Sequence, residues 1–251
     1  MDSIALRPRK ATEIVDATIE VYRRNPVHFM LLTTLVYAPW LILQVVLLGN
    51  APPTAKFLTQ FLISIGALLS YFLLSAVVVQ LASDFYLGRD SDAFLAIRRL
   101  GGKLPAAFIA AVIQTFIIGF GLALFIVPGV YWSSMYFAAI PIIVLERKGI
   151  FAAFDRSSAL SKGLKGHILA TLGLVFLIRL AVSGGALIMV ALVPNIIAQR
   201  VLSTLVQIVV YPIFGIADAL LYYDVRIRRE GFDIEMLAAT TSGAKSEPAV
   251  A

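Results

Sequence analysis

Seven charged side chains crowd the stretch "YYDVRIRREGFDIEML": Asp224, Arg226, Arg228, Arg229, Glu230, Asp233 and Glu235. Carboxylates and guanidiniums at this density could form a catalytic cluster, an anion site or a topology signal. They follow directly on "VVYPIFGIADALL", whose one charge is Asp218. Another charge inside an apolar run is Arg179, in "HILATLGLVFLIRLAVSGGALIMVALV". A charge in hydrocarbon is costly, so it marks a site or a pair. Arg179 and Asp218 read as an interhelical ion pair pinning the last two runs together, because a long Arg side chain can snorkel toward its partner. A proton or anion relay is the alternative reading. A third keeps Arg179 for a partner chain, or for a buried lipid or pigment headgroup.

Other chemistry has little to build on. The chain has no cysteine, which excludes disulfides, thiolate catalysis, zinc–thiolate clusters and c-type haem attachment. Its two histidines, His28 and His167, have no carboxylate–histidine motif beside them in sequence. Metal-assisted hydrolysis needs such groups converging on a cation. No nucleotide motif or nucleophile–base pair is present. The sequence therefore predicts no cofactor, no bound metal and no catalytic residue. An intramembrane lipid enzyme is the one catalytic class left open.

The elements that position these charges follow from composition. The chain of 251 residues is 60% hydrophobic and 14% charged. Soluble domains run at about 45–50% apolar and about 25% charged. Crossing a bilayer takes roughly 20 apolar residues as a helix. Six runs qualify: 27–48, 57–82, 104–127, 130–145, 167–193 and 201–223, with Pro128 and Gly129 breaking the chain between the third and fourth. Eighteen of the 21 Lys and Arg residues fall in the N-terminal segment, two long loops and the C-terminal segment. Only Lys56 and Arg200 fall opposite, and Arg179 lies within a run. The bias predicts both termini and both long loops in the cytoplasm of a bacterium whose inner membrane the chain spans. The net charge of +6 then belongs to that face and not to nucleic-acid binding. The first apolar run is expected to act as an uncleaved signal anchor, since no signal-peptide pattern precedes it.

The cytoplasmic segments carry amphipathic helical patterns. In "TEIVDATIEVYRR", Ile14, Ala17, Thr18 and Val21 fill one face, with Thr12 as N-cap. "RDSDAFLAIRRLGGK" places Ala93, Ala96, Ile97 and Leu100 on one stripe. "KGIFAAFDRSSALSKGLKG" does likewise with Ile150, Phe151 and Phe154. Helices of this type lie in the headgroup plane against anionic lipid, or pack on the protein's own rim. Gly88, Gly149 and Gly231 stand where helix ends use glycine. The fold class is thus all-α integral membrane: six transmembrane helices as three hairpins, each preceded by a cytoplasmic interfacial helix. The pseudo-repeats cover about 12–87, 88–148 and 149–237, within a single membrane domain 1–237 and ahead of a disordered tail 238–251. The aromatics Tyr37, Trp40, Tyr131, Trp132 and Tyr211 fall in outer halves of the runs and read as an interfacial belt.

Two stretches carry a family resemblance. "PIIVLERKGIFAAFDRSSALSKG" supplies Pro141, Glu146, Arg156, Ser157, Leu160 and Gly163; "YYDVRIRREGFDIEML" supplies Tyr223, Asp224, Arg226, Arg228, Arg229, Glu230, Gly231, Phe232 and Asp233. With "ATIEVYRRNPVHFMLL" these resemble the bacterial family known as the membrane domain of glycerophosphoryl diester phosphodiesterase. Ser158 stands where that family often has tryptophan. The resemblance implies a membrane domain only, because the phosphodiesterase activity belongs to a separate fused domain that this chain lacks.

The sequence supports a non-catalytic inner-membrane scaffold or accessory subunit of a larger complex, respiratory or photosynthetic assemblies being examples. The second expectation is a small transporter or lipid-handling protein with a cavity reaching Arg179. Expected partners are anionic lipid headgroups and other membrane subunits. Asp224, Arg226, Arg228, Arg229, Glu230, Asp233 and Arg156 are expected to close a cytoplasmic rim by ion pairing.

Overall fold

Long apolar runs have few ways to satisfy their backbone in hydrocarbon, and the α-helix, which bonds within itself, is the local one. The computed structural model describes residues 7–50, 56–232 and 234, and no strand occurs among them. The helices are α1 (Ala11–Arg24), α2 (Pro26–Asn50), α3 (Lys56–Tyr86), α4 (Ala93–Leu100), α5 (Leu104–Leu124), α6 (Ile126–Tyr136), α7 (Ala139–Leu145), α8 (Ile150–Ser161), α9 (Lys165–Ala191) and α10 (Ile196–Glu230). Six helical segments are long and apolar enough to cross a membrane: Pro26–Leu47, Phe57–Tyr86, Ala93–Leu124, Ile126–Leu145, Lys165–Ala191 and Ile196–Glu230. Outward-facing Phe116, Phe120, Phe176, Leu187 and Ile188 are each at least 61% exposed. In water they would be an aggregation surface; in a bilayer, lipid covers them. The fold is that of a multi-pass membrane protein.

α10 is the pivot. It packs against α1, α2, α3 and α9. Small residues let it approach α3: a Cβ on Gly215 would stand 2.5 Å from Val78 Cγ1. α2 and α3 close up in the same way, the ring of Trp40 lying where a Gly66 side chain would be. Pro212 sits inside α10 and Pro39 inside α2, and both helices run on through them. α10 also continues past the apolar run to Glu230, so the charged stretch is the last two turns of a 35-residue helix.

α1 buries Ile14, Ala17, Thr18 and Val21, the face set by their helical spacing. That face packs on α9 and α10. Its N-cap is Lys10, two residues earlier than Thr12. Glu13 takes the capping role, accepting the Lys10 N–H at 2.8 Å. α4 starts on Asp92, whose carboxylate accepts the Leu95 N–H at 2.8 Å. In α8 the buried residues are Ala153, Phe154, Ser157, Leu160 and Ser161; Phe151, read on one apolar stripe with Ile150 and Phe154, is 81% exposed.

Four further expectations are corrected. The break between the third and fourth runs falls at extended Phe125, not at Pro128 and Gly129. Pro128 sits in the first turn of α6, where its missing N–H costs nothing. Gly129 lies against Gly121, and a Cβ on Gly121 would reach Gly129 Cα at 2.8 Å. Gly88 and Gly231 adopt the left-handed conformation, at φ 69° and 64°, but Gly149 does not. Arg147 takes that role at φ 56°, and Gly149 caps α8 in extended geometry. Finally, the fourth run is two helices, broken at Phe137 and Ala138. Tyr131, expected in an outer belt, lies with its ring 3.6 Å from Lys165 Nζ at the start of α9.

Candidate functional site

The charged end of α10 gathers three chain segments on one carboxylate. Asp224 is buried. Its Oδ1 accepts the Arg9 N–H at 2.6 Å; its Oδ2 meets His167 Nε2 at 2.7 Å and accepts from Arg228 Nε at 2.8 Å. Arg228 also donates to the Arg9 carbonyl at 2.6 Å. The segment before α1, the first turn of α9 and the last turn of α10 are therefore tied at one point. A buried carboxylate with this many donors is a structural clasp, since removing it would strand buried donors.

A second network sits beside it. Arg156 of α8 donates to Glu146 at 3.2 Å and to Glu230 Oε2 at 2.8 Å. Tyr222 donates to Glu146 at 2.9 Å, Lys148 lies 3.2 Å from it, and Arg226 Nε donates to Glu230 at 3.1 Å. Burial works against the Glu146 charge. Hydrogen bonds from Arg156, Tyr222 and Lys148 outweigh it and hold the carboxyl below its ordinary value. The Arg156 guanidinium is held above its ordinary value, chiefly by Glu230. Among the described residues Arg229 reaches only the Ala159 carbonyl, at 3.4 Å. Asp233 and Glu235 lie outside the described residues. Of the charged residues in the two resembling stretches, Glu146, Arg156, Arg226 and Glu230 meet in this network, and Asp224 and Arg228 meet in the clasp beside it.

A second buried carboxylate, Asp84 at the end of α3, is fully covered and pairs with Arg99 of α4 at 2.7 Å. It also accepts from Ser91 at 2.8 Å and Gln80 at 3.2 Å. Ser83 next to it shares a 2.5 Å hydrogen bond with Tyr223. The basic end is stitched laterally by Asp84, Glu146 and Asp224.

The intramembrane charges behave differently. The expected ion pair between Arg179 and Asp218 is not made. The His167–Asp224 contact sets α9 and α10 level at the basic end. From there Arg179 is twelve residues along and Asp218 six, an axial offset of roughly 9 Å. The two side chains also open on different cavities. Arg179 Nη1 donates to the Tyr71 hydroxyl at 3.2 Å, and its guanidinium lies over the rings of Tyr71 and Phe214, 5.3 and 5.4 Å from their centroids. Guanidinium on aromatic faces is a favourable contact that leaves its remaining N–H groups to a ligand.

Around Arg179 a cleft of ≈ 310 Å³ opens between α2, α3, α9 and α10. Tyr37, Tyr71, Tyr211 and Phe214 form an aromatic floor, Ser183, Ser203 and Gln207 add polar groups, and aliphatic residues of α9 and α10 line the rest. Tyr37 and Tyr211 are buried there, ring against ring at 6.3 Å, and so do not stand in an interfacial belt. A smaller cavity of ≈ 120 Å³ shares Tyr37, Ser203 and Gln207 with the cleft and extends it to Arg200. Arg200 Nη2 donates to Gln60 at 3.0 Å, while its Nε and Trp40 Nε1 are buried with no hydrogen-bond partner among the described residues. Unpartnered donors, Arg200 Nε and Trp40 Nε1, converge here, and the acceptors that reach the two guanidiniums, Gln60 and Tyr71, are neutral. Among the described residues, no carboxylate lies within ion-pair distance of Arg179 or Arg200. From Pro26 to Ser83, Ala93 to Leu145 and Lys165 to Tyr223, Asp218 is the one acidic residue.

The sequence flagged Arg179 by its place in an apolar run and marked Tyr37 and Tyr211 as belt aromatics, but not Tyr71, whose helical position looks like any other. It missed His167 as a partner of Asp224, because 57 residues separate them. Comparison with protein-family models, curated proteins and solved structures finds no match to this chain, so the resemblance of the two stretches rests on their residues alone.

Proposed function

We propose that this multi-pass membrane protein handles an anionic amphiphile, a lipid-like molecule with an acidic headgroup and an apolar chain, held in the cleft at Arg179. One observation carries the reading. Arg179 is exposed to the cleft about halfway along a hydrocarbon-spanning helix, with aromatic and aliphatic walls and no carboxylate partner among the described residues. A charge at that depth costs several kcal/mol, about 2.5–3.5 on insertion scales. An acidic headgroup against the guanidinium offsets that cost, and its apolar tail matches the cleft wall and the lipid beyond. Arg200, the Trp40 indole and Gln207 continue the donors toward the far end, a route an anion could follow.

The same reading places the basic end in the cytoplasm of a bacterial inner membrane, following the Lys and Arg bias. The spans form three hairpins, with α1, α4 and α8 as interfacial helices ahead of them. Phe94 and Phe151 support this, since both occupy the second position of their helices and both are exposed, at 78% and 81%. A phenylalanine beside Arg or Lys at a helix end suits the headgroup boundary. The accessory-subunit expectation gains nothing from the exposed apolar surface, because lipid covers such a face without a partner.

Native mass spectrometry of the protein, released gently from its membrane, tests the reading. An acidic lipid should stay bound to the wild-type chain and be lost from Arg179→Gln. Equal retention by both would contradict it.

A further inference from the structure

Asp218 has a cavity of its own. It faces ≈ 160 Å³ enclosed by α3, α5, α6, α7, α9 and α10, lined among others by Ser75, Gln114, Ser133, Pro141 and Leu172. Its carboxylate has no hydrogen bond or ion pair among the described residues, in contrast to Asp84, Glu146 and Asp224. Gln114 Oε1, on the same cavity, is buried and likewise without a donor. The two serines cannot supply one. Ser75 already donates to the Phe72 carbonyl at 2.7 Å, and Ser133 to the Val130 carbonyl at 2.7 Å. What they present to the cavity is lone pairs. The helix break adds to this, since Pro141 has no N–H to close a helical turn onto the Phe137 carbonyl. Broken helices beside an ionisable group are a recurrent way of building ion sites in membrane proteins.

The cavity is therefore the inverse of the Arg179 cleft: the Asp218 carboxylate, Gln114 Oε1 and two serine oxygens converge on it, against the N–H groups of the Gln114 amide. A single carboxylate with neutral oxygens balances one positive charge. Divalent cations take six to eight oxygens with more carboxylate. We propose that this cavity holds one monovalent cation, with Asp218 as its counter-charge and Gln114 as a neutral ligand. An alkali-metal ion and a proton are the two cations of that chemistry. None of the other residues lining the cavity from α3, α5, α6, α7 or α9 titrates, and the charge acting on Asp218 from outside it is Arg179 of α9. The inference does not depend on what the Arg179 cleft binds.

Dicyclohexylcarbodiimide tests it on the intact protein, because this apolar reagent adds to protonated carboxyl groups within membranes. Peptide mass spectrometry should find an adduct on Asp218 that is absent in Asp218→Asn. Labelling is compared in sodium, potassium and choline chloride at equal ionic strength, across neutral to alkaline pH. Protection by sodium or potassium relative to choline, weakened in Gln114→Leu, supports an alkali ion. Labelling that falls with rising pH and ignores the salt supports a proton. No adduct on Asp218, or one indifferent to both pH and salt, overturns the proposal.

Discussion

His167 Nε2 lies 2.7 Å from Asp224 Oδ2, joining the first turn of α9 to the last turns of α10. This contact, with Arg9 and Arg228 on the same carboxylate, levels two of the four helices that form the Arg179 cleft. The rim and the cleft are thus mechanically one arrangement, since a shift of α9 along α10 would carry Arg179 away from Tyr71 and Phe214.

Loss of the clasp should be costly. Asp224→Ala strands a backbone N–H, a histidine and a guanidinium at a buried point, and removing one partner of a buried pair costs about 3–5 kcal/mol. A large fall in melting temperature in detergent is the expected result, with faster proteolysis ahead of α1. Asp224→Asn keeps the shape and half the acceptors, and should fall between.

Adjacent arginines should differ. Arg228 is bonded to Asp224 and to the Arg9 carbonyl, whereas Arg229 touches one distant carbonyl. Arg228 is partly exposed, so Arg228→Ala should cost about 1 kcal/mol. Arg229→Ala should stay within about 0.5 kcal/mol of wild type. Paired melting curves decide between them.

Glu146 gives the rim an acid limit. Its folded carboxyl is held below the ordinary value of about 4.3, so its contribution is complete above that pH and is lost as pH falls through the lowered folded value. Melting temperature measured from neutral pH downward should therefore drop in the acid range, and Glu146→Gln should flatten that drop. A wild-type curve identical to that of the variant would remove Glu146 from the account.

Packing of α2 on α3 rests on a glycine. A Cβ at Gly66 would fall 2.0 Å from the Trp40 ring, so Gly66→Ala must displace the indole. Overpacking of this kind costs about 1–3 kcal/mol. The chain has two tryptophans. With Trp132→Phe as background, Trp40 emission should shift on Gly66→Ala and stay unchanged on Gly184→Ala, where a Cβ meets open space.

Much of the fold could be read from residue spacing. Ile14, Ala17, Thr18 and Val21 are buried because a 3.6-residue period puts them on one face, a local property. Gly231 ends α10 in the left-handed conformation for an equally local reason. Gly149 misled because Arg147 adopts that conformation first. The site was less legible. Arg179 and Asp218 were visible as charges in apolar runs, but whether two helices present them to each other depends on axial level and rotation. The level is set by a contact between His167 and Asp224, and the rotation by helix packing, neither of which spacing encodes. Tyr37, Tyr71 and Tyr211 joined the cleft only once three helices had packed.

The central claim is that Arg179 receives an acidic headgroup. Its most direct test is binding of a fluorescent long-chain carboxylate and of its uncharged methyl ester to the protein in neutral-lipid nanodiscs, with wild type and Arg179→Gln compared at matched stability. The account predicts that the variant binds the carboxylate about tenfold more weakly, a loss of about 1.4 kcal/mol, and the ester unchanged. Equal carboxylate affinity in the two proteins would contradict it.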